Sequence, residues 1–221
     1  FFKKIYLIII YFLQKYLINV YMKSGDFYFY VLFIFIIGVI TYIYVKNNDD
    51  FQLKCVVSTV DGNKYCVRDR AKVNEAANLL AKVTKNCKSL VHYMNNKIPN
   101  DDRTKRLVKG FNPTKIMETL PTSSYTAYSE NKGKKIAFCL SPKKKNGEDT
   151  LIDEHTLTFV AIHELAHVST KSIGHKTEFW ENFKFLLEKA NESGIHKPVD
   201  YNKNPTKYCS TKIQDNPYFD M

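Results

Sequence analysis

The spacing of apolar and polar positions changes period several times along this chain. From 27 to 45 it has no period: 'FYFYVLFIFIIGVITYIYV' is apolar throughout and uncharged. At about 1.5 Å per residue such a helix reaches roughly 28 Å, close to the hydrocarbon thickness of a bilayer. Tyr28, Tyr30, Tyr42 and Tyr44 near its ends suit a membrane interface. The run is longer than a signal peptide's apolar region and is not followed by small residues. It predicts a single-pass transmembrane anchor and a membrane location. Lys23 before it balances Lys46 after it, so the side on which the rest of the chain lies is undetermined. Residues 1–26 form an N-terminal segment. Met22 offers a natural start there, which would make residues 1–21 upstream translation or a fragment end; the other reading of them is a second membrane segment, which would change the topology.

Residues 46–68 read as a polar exit followed by a hairpin over 53–68 that turns at Asp61–Gly62. Residues 69–221 are expected to form one domain. A helix is predicted over 69–97, where Val73, Ala76, Leu80, Val83, Cys87, Leu90, Val91 and Met94 recur at three- and four-residue steps. Turn signals dominate 99–133. A strand follows in 'KKIAFCL', with Ile136, Phe138 and Leu140 on one face. Helical patterning resumes near Asp153 or Thr156, runs to about Ser172 and stops at Gly174. A last helix from Lys176 carries Phe179, Trp180, Phe183, Phe185, Leu186 and Leu187. The Pro-containing tail reads as irregular. The order of elements predicts an α+β fold.

Charge and cysteines narrow the picture only a little. The net charge of +11 is spread along the chain, with local runs at Lys134–Lys135 and Lys143–Lys145. Nucleic-acid binding is open to such a chain but not favoured, because no basic motif interleaved with aromatics is present. The five cysteines include no CxxC pair. Cys55 and Cys66 flank the hairpin, diagonal to one another if its turn has two residues, and the odd count leaves at least one thiol unpaired within the chain. Asn191-Glu192-Ser193 matches a glycosylation acceptor near a helix end.

The chemistry concentrates in 'FVAIHELAHVSTKSIGHKTEFWENF', from Phe159. His163 and His167 are four residues apart, so on a helix both imidazoles lie on one face and can share a cation. Glu164 sits one position round from the first, where a general base for a metal-activated water belongs. Phe159, Val160, Ile162, Leu165 and Ala166 are apolar, so the helix is buried, and a buried imidazole needs a partner. Two ligands hold zinc poorly, and a catalytic site usually has three. His175 follows Gly174, whose turn can bring it back to the metal. Glu188, with twenty residues between it and His167, is the competing third ligand; Glu178 and Glu181 are weaker ones. The spacing favours His175. His92, His155 and His196 read as solvent-facing or helix-end residues.

The stretch 'HELAHVSTKSIGHKTEFWENF' resembles the WLM/SprT-like zinc metallopeptidases, and is particularly similar to those encoded by large DNA viruses. The likeness lies in HExxH followed by a nearby His and then H-x-x-x-F, here His175 to Phe179. It is closest over 156–185, extends over 65–209 and leaves out the apolar segment. It implies a compact zincin-like core, an active-site helix beside a small sheet whose edge strand accepts an extended peptide. Residues 136–140 are the candidate edge strand. It further implies Zn²⁺ on His163, His167 and His175, Glu164 as general base, and a protein or peptide substrate. Tyr201 and Tyr208 are candidates for stabilising the oxyanion. The leading expectation is a membrane-anchored zinc endopeptidase. The alternatives are a non-catalytic, zinc-stabilised membrane interaction module, which has no need of Glu164, and a DNA-associated protease. Proteins crosslinked to DNA are the substrate of relatives in this group, and no DNA-binding module is recognisable here to carry that over.

Overall fold

The computed structural model describes residues 24–47, 53–141 and 150–219. The expectation for residues 1–21 and the basic run Lys143–Lys145 fall outside them. The chain divides into two compact units, Phe1–Asn48 and Asp49–Met221.

In the first unit, Ser24–Asn47 is helical (α1). The transmembrane expectation requires correction, because among the described residues no helix is long and apolar enough to cross a membrane. The part of α1 whose side chains are described, 27–43, extends about 26 Å against a hydrocarbon core of about 30 Å, and Tyr28, Tyr30 and Tyr42 occupy its ends. The single-pass anchor over 27–45 and the membrane location drawn from it are not supported.

The second unit is mixed α/β. Strands β1 (Lys54–Val57) and β2 (Lys64–Val67) make the expected hairpin. Its loop is longer than two residues, closed by Ser58 N–H donating to the Asn63 carbonyl at 2.9 Å. The loop is centred on Val60–Asp61 rather than Asp61–Gly62, which sets Cys55 directly opposite Cys66 rather than diagonal to it, and the two form a disulfide. Helix α2 (Val73–Lys97) buries Ala76, Leu80, Val83, Cys87, Leu90 and Met94, the expected stripe. It starts four residues later than predicted.

The turn-rich stretch after it holds more structure than its pattern showed. Helix α3 (Asp102–Gly110) starts where the Asp101 carboxylate accepts the amides of Arg103 and Thr104, satisfying two first-turn donors. Leu107 is its one buried aliphatic residue, which is why no apolar period announced it. Strands β3 (Ile116–Glu118), β4 (Ala127–Glu130) and β5 (Lys135–Phe138) form a sheet in the order β3-β5-β4. β5 runs parallel to β3 and antiparallel to β4. The candidate edge strand is thereby corrected. Ile136, Ala137 and Phe138 are all buried in the central strand, and β4 is an edge. Among the described residues there are three small sheets rather than one, the third being β6 (Thr206–Tyr208) with β7 (Thr211–Ile213) in the tail. A second disulfide, Cys139–Cys209, joins that tail to the end of β5, and Cys87 is a buried free thiol.

Helix α4 (Glu154–Ser169) runs through the middle and packs against α2, α3, β4, β5 and α5 (Thr177–Glu192). Its sequence is apolar on most sides because it is surrounded. Asp153 caps its start by accepting the Thr156 amide at 2.8 Å. A buried ion-paired group, Glu118 with Arg70 and Arg68, docks the first hairpin on β3, and Glu118 also accepts the Arg68 amide at 2.7 Å.

Candidate metal site

His163 and His167 lie one turn apart on α4 with ring centroids 5.0 Å apart. The helix ends at Ser169. Thr170 takes an extended conformation, and Gly174, at φ +81°, supplies the left-handed residue that turns the chain back toward the site. His175 then lies with its ring centroid 5.0 Å from that of His163 and 4.8 Å from that of His167. One ring nitrogen from each of the three histidines falls within 4.8 Å of the others. The Nε2 atoms of His163 and His175 are 3.1 Å apart. Two nitrogens about 2.1 Å from one tetrahedral cation would be roughly 3.4 Å apart, so the donors already stand near bonding separation. The three histidines form a candidate metal site. Glu188 is not part of this cluster, and neither is Glu181.

Phe179 organises the triad. Its fully buried ring lies 4.9, 4.3 and 4.6 Å from the rings of His163, His167 and His175. The H-x-x-x-F spacing is therefore a packing device, placing the first turn of α5 against all three imidazoles. Glu178, a weak candidate ligand by sequence, serves the loop instead. Its carboxylate accepts the amides of Lys171 at 3.0 Å and Ser172 at 3.1 Å, and these bonds hold the carboxyl down to about 2. Asn182 donates to Thr170 Oγ1 at 2.9 Å from one turn further on.

Electrostatics favour uncharged imidazoles that are free to bind a cation. Burial, with His167 and His175 adding, holds His163 down to about 3. Burial, with His175 and Lys132 adding, holds His167 at about 4. Glu164 is 4 % exposed, its Oε2 has no hydrogen-bond partner, and burial pushes its carboxyl up to about 8. A buried, unpartnered carboxyl oxygen is costly, and a cation beside it would favour the carboxylate. That orphaned atom and the three-imidazole donor set both fit a divalent metal.

The site opens into a cleft of about 570 Å³ whose lining includes Glu164. One wall is β4 with Tyr125, Ala127, Tyr128 and Ser129; the other is the loop of Ile173, Gly174 and His175. A shallower depression of about 500 Å³ continues along the same strand, sharing Tyr125, Tyr128 and Ser129 with the first. Tyr201 and Tyr208, the candidates for oxyanion stabilisation, are not among the cleft's lining residues. Tyr201 is buried against Phe159 at 4.8 Å, and Tyr208 donates to the Thr126 carbonyl at 3.1 Å. Tyr125 and Tyr128 line the cleft; the sequence reading did not single them out because nothing in its pattern placed 125–130 beside the histidines. His196, read as solvent-facing, is 2 % exposed.

The chain is 29% identical over 188 residues to an uncharacterized protein of Acanthamoeba polyphaga mimivirus, an alignment covering 83% of this chain and 93% of that protein. It is also 37% identical over 76 residues to an uncharacterized protein of Invertebrate iridescent virus 6, covering 33% of this chain and 42% of the relative. An uncharacterized protein of Invertebrate iridescent virus 3 is 36% identical over 101 residues, 45% of this chain and 56% of its own. No protein-family profile matches the chain, and no solved structure does.

Proposed function

We propose that this chain is a zinc-dependent endopeptidase of the WLM/SprT-like kind, with His163, His167 and His175 as metal ligands and Glu164 as general base. The observation that carries the reading is the convergence of three imidazoles within 4.8 Å, beside a buried carboxyl, on the floor of a cleft bordered by an edge strand. When bound, zinc polarises a carbonyl and lowers the pKa of a bound water toward about 7. The protein's own groups supply the rest. Glu164 faces the cleft next to His163, placed to take a proton and return it to the leaving nitrogen. Phe179 keeps the three rings fixed while this happens. The free edge of β4 offers backbone donors and acceptors to an extended polypeptide, and the two depressions along it, one at the histidines and one beyond Tyr128, would take its side chains. Such a groove suits a polypeptide better than a compact small molecule. A site that only staples the fold has no use for a buried carboxyl facing an open cleft.

The test uses the purified full-length chain, assayed for zinc content and for cleavage of unstructured protein and of a quenched peptide library. One zinc per chain, with cleavage that Glu164→Gln abolishes while zinc is retained, is the expected outcome. Zinc-loaded protein that cuts nothing in the library, or a Gln variant as fast as wild type, would sink the reading.

A further inference from the structure

We propose that Lys132 is a positioning residue for the metal site, setting the distance between the helix-borne imidazoles and the third one. Its ammonium donates to three carbonyls: His167 at 3.2 Å, Thr170 at 2.7 Å and Ser172 at 2.8 Å. All three of its donors are thus used. The acceptors straddle the end of α4 and the loop that leads to His175. One cation therefore ties the residue bearing the second imidazole to the segment presenting the third.

The backbone brings Lys132 there. It lies in the β4–β5 turn, where Asn131, Lys132 and Gly133 all have positive φ, at 47°, 55° and 95°. Consecutive residues in this region are disfavoured for L side chains, so the surroundings must hold the turn in place. Gly110 and Gly133 show how. A Cβ on Gly133 would stand 2.7 Å from the Gly110 carbonyl oxygen, and one on Gly110 would stand 2.5 Å from that of Lys132 and 2.7 Å from Val168 Cγ1. The turn is pressed between the end of α3 and the residue next to His167. Arg106 on α3 donates to the Ser169 carbonyl, so a second cation serves the same helix end without reaching the loop.

A simple helix cap would raise stability without bearing on metal affinity. The two roles separate in zinc affinity, measured on the full-length chain by competition with a chromophoric chelator. Lys132→Met is expected to weaken zinc binding about 10- to 100-fold, the usual scale for groups that orient metal ligands, while the metal-free protein keeps its far-UV circular dichroism. In a His175→Ala background the same substitution is expected to cause no further loss, because the ligand it positions is gone. Equal affinities for wild type and Lys132→Met, or the same additional loss in both backgrounds, would overturn the proposal. Should Lys132→Met not fold without metal, Lys132→Gln takes its place, with a smaller loss expected and no change again overturning the idea. The inference rests on the metal site of the preceding reading, not on peptide hydrolysis. Wild-type protein that takes up no zinc sinks both; wild type that binds zinc alongside a variant that binds it equally sinks only this one.

Discussion

Helix α4 meets histidines near both of its ends. At the N-terminal end His155 stacks on His196, with ring centroids 4.2 Å apart. Further along, His163 and His167 face His175. The same aromatic layer serves both groups: Phe159 lies 6.1 Å from His196 and 5.3 Å from Phe183, which in turn lies 5.1 Å from His163. Burial lowers His196 to about 4, with His155 adding, much as it lowers His163. Yet the nitrogens are arranged quite differently. Both ring nitrogens of His196 are buried without a partner, and His155 Nε2 lies 2.9 Å from the Lys197 carbonyl oxygen. Among the described residues only the other group brings three donors together, and that group opens into a cleft. Desolvation alone therefore does not distinguish a ligand from a packed ring. Convergence and access do.

The sharpest way to break this contrast is at Glu164. Glu164→Gln is expected to lower cleavage by about 10²- to 10⁴-fold, the usual worth of a positioned general base, while His155→Ala leaves the rate near that of wild type, as read from initial rates on a quenched peptide. Next in size is metal uptake. His163→Ala should abolish stoichiometric zinc in metal analysis after dialysis and His175→Ala should leave only a weakened two-imidazole site that still binds at excess zinc, whereas Glu188→Ala and His196→Phe should retain it. A smaller effect is linked stabilisation. Free zinc at a hundred times its Kd should stabilise wild type by about 2.7 kcal/mol, visible as a rise in Tm that chelation reverses and His163→Ala lacks. Stabilisation of equal size in His163→Ala would place the metal elsewhere.

A further prediction concerns the other histidine pair. His196 titrates near 4 when folded, below the 6.5 of an ordinary histidine. Between those values the unfolded chain binds the extra proton, so stability falls as pH drops through 6.5 toward 4. In metal-free protein, where His163 and His167 contribute to the same window, His196→Phe should reduce the slope of that part of the curve without removing it, as followed by denaturant melts. An unchanged slope would mean that His196 finds a partner in solution.

The sequence made the site more legible than its frame. The four-residue spacing of His163 and His167, with Glu164 between, is a local property of one helix turn, and Gly174 marks the reversal that brings in His175. The stripe on α2 was equally readable, since a long helix packed on one side repeats its apolar residues many times. Shorter elements carried too little pattern. Helix α3 depends on a cap at Asp101 and on a single buried leucine. β4 reads 'AYSE', with no alternation, because it sits between a cleft and a helix rather than between core and water. The strong pattern of 136–140 pointed to a strand but could not say that it was central, because edge or centre depends on what pairs beside it. The apolar run 27–45 announced a helix, but among the described residues no helix is long and apolar enough to cross a membrane.

By itself, then, the sequence determined which side chains could bind a cation and that two of them share a face, since helical periodicity follows from local backbone geometry. Only the tertiary structure decided that His175 rather than Glu188 closes the group, that Phe179 packs on all three rings, that Glu178 and Lys132 secure the intervening loop, and that β4 forms the wall. Each of these depends on contacts between segments that the chain's own spacing leaves free, and such contacts arise only when the core closes around α4.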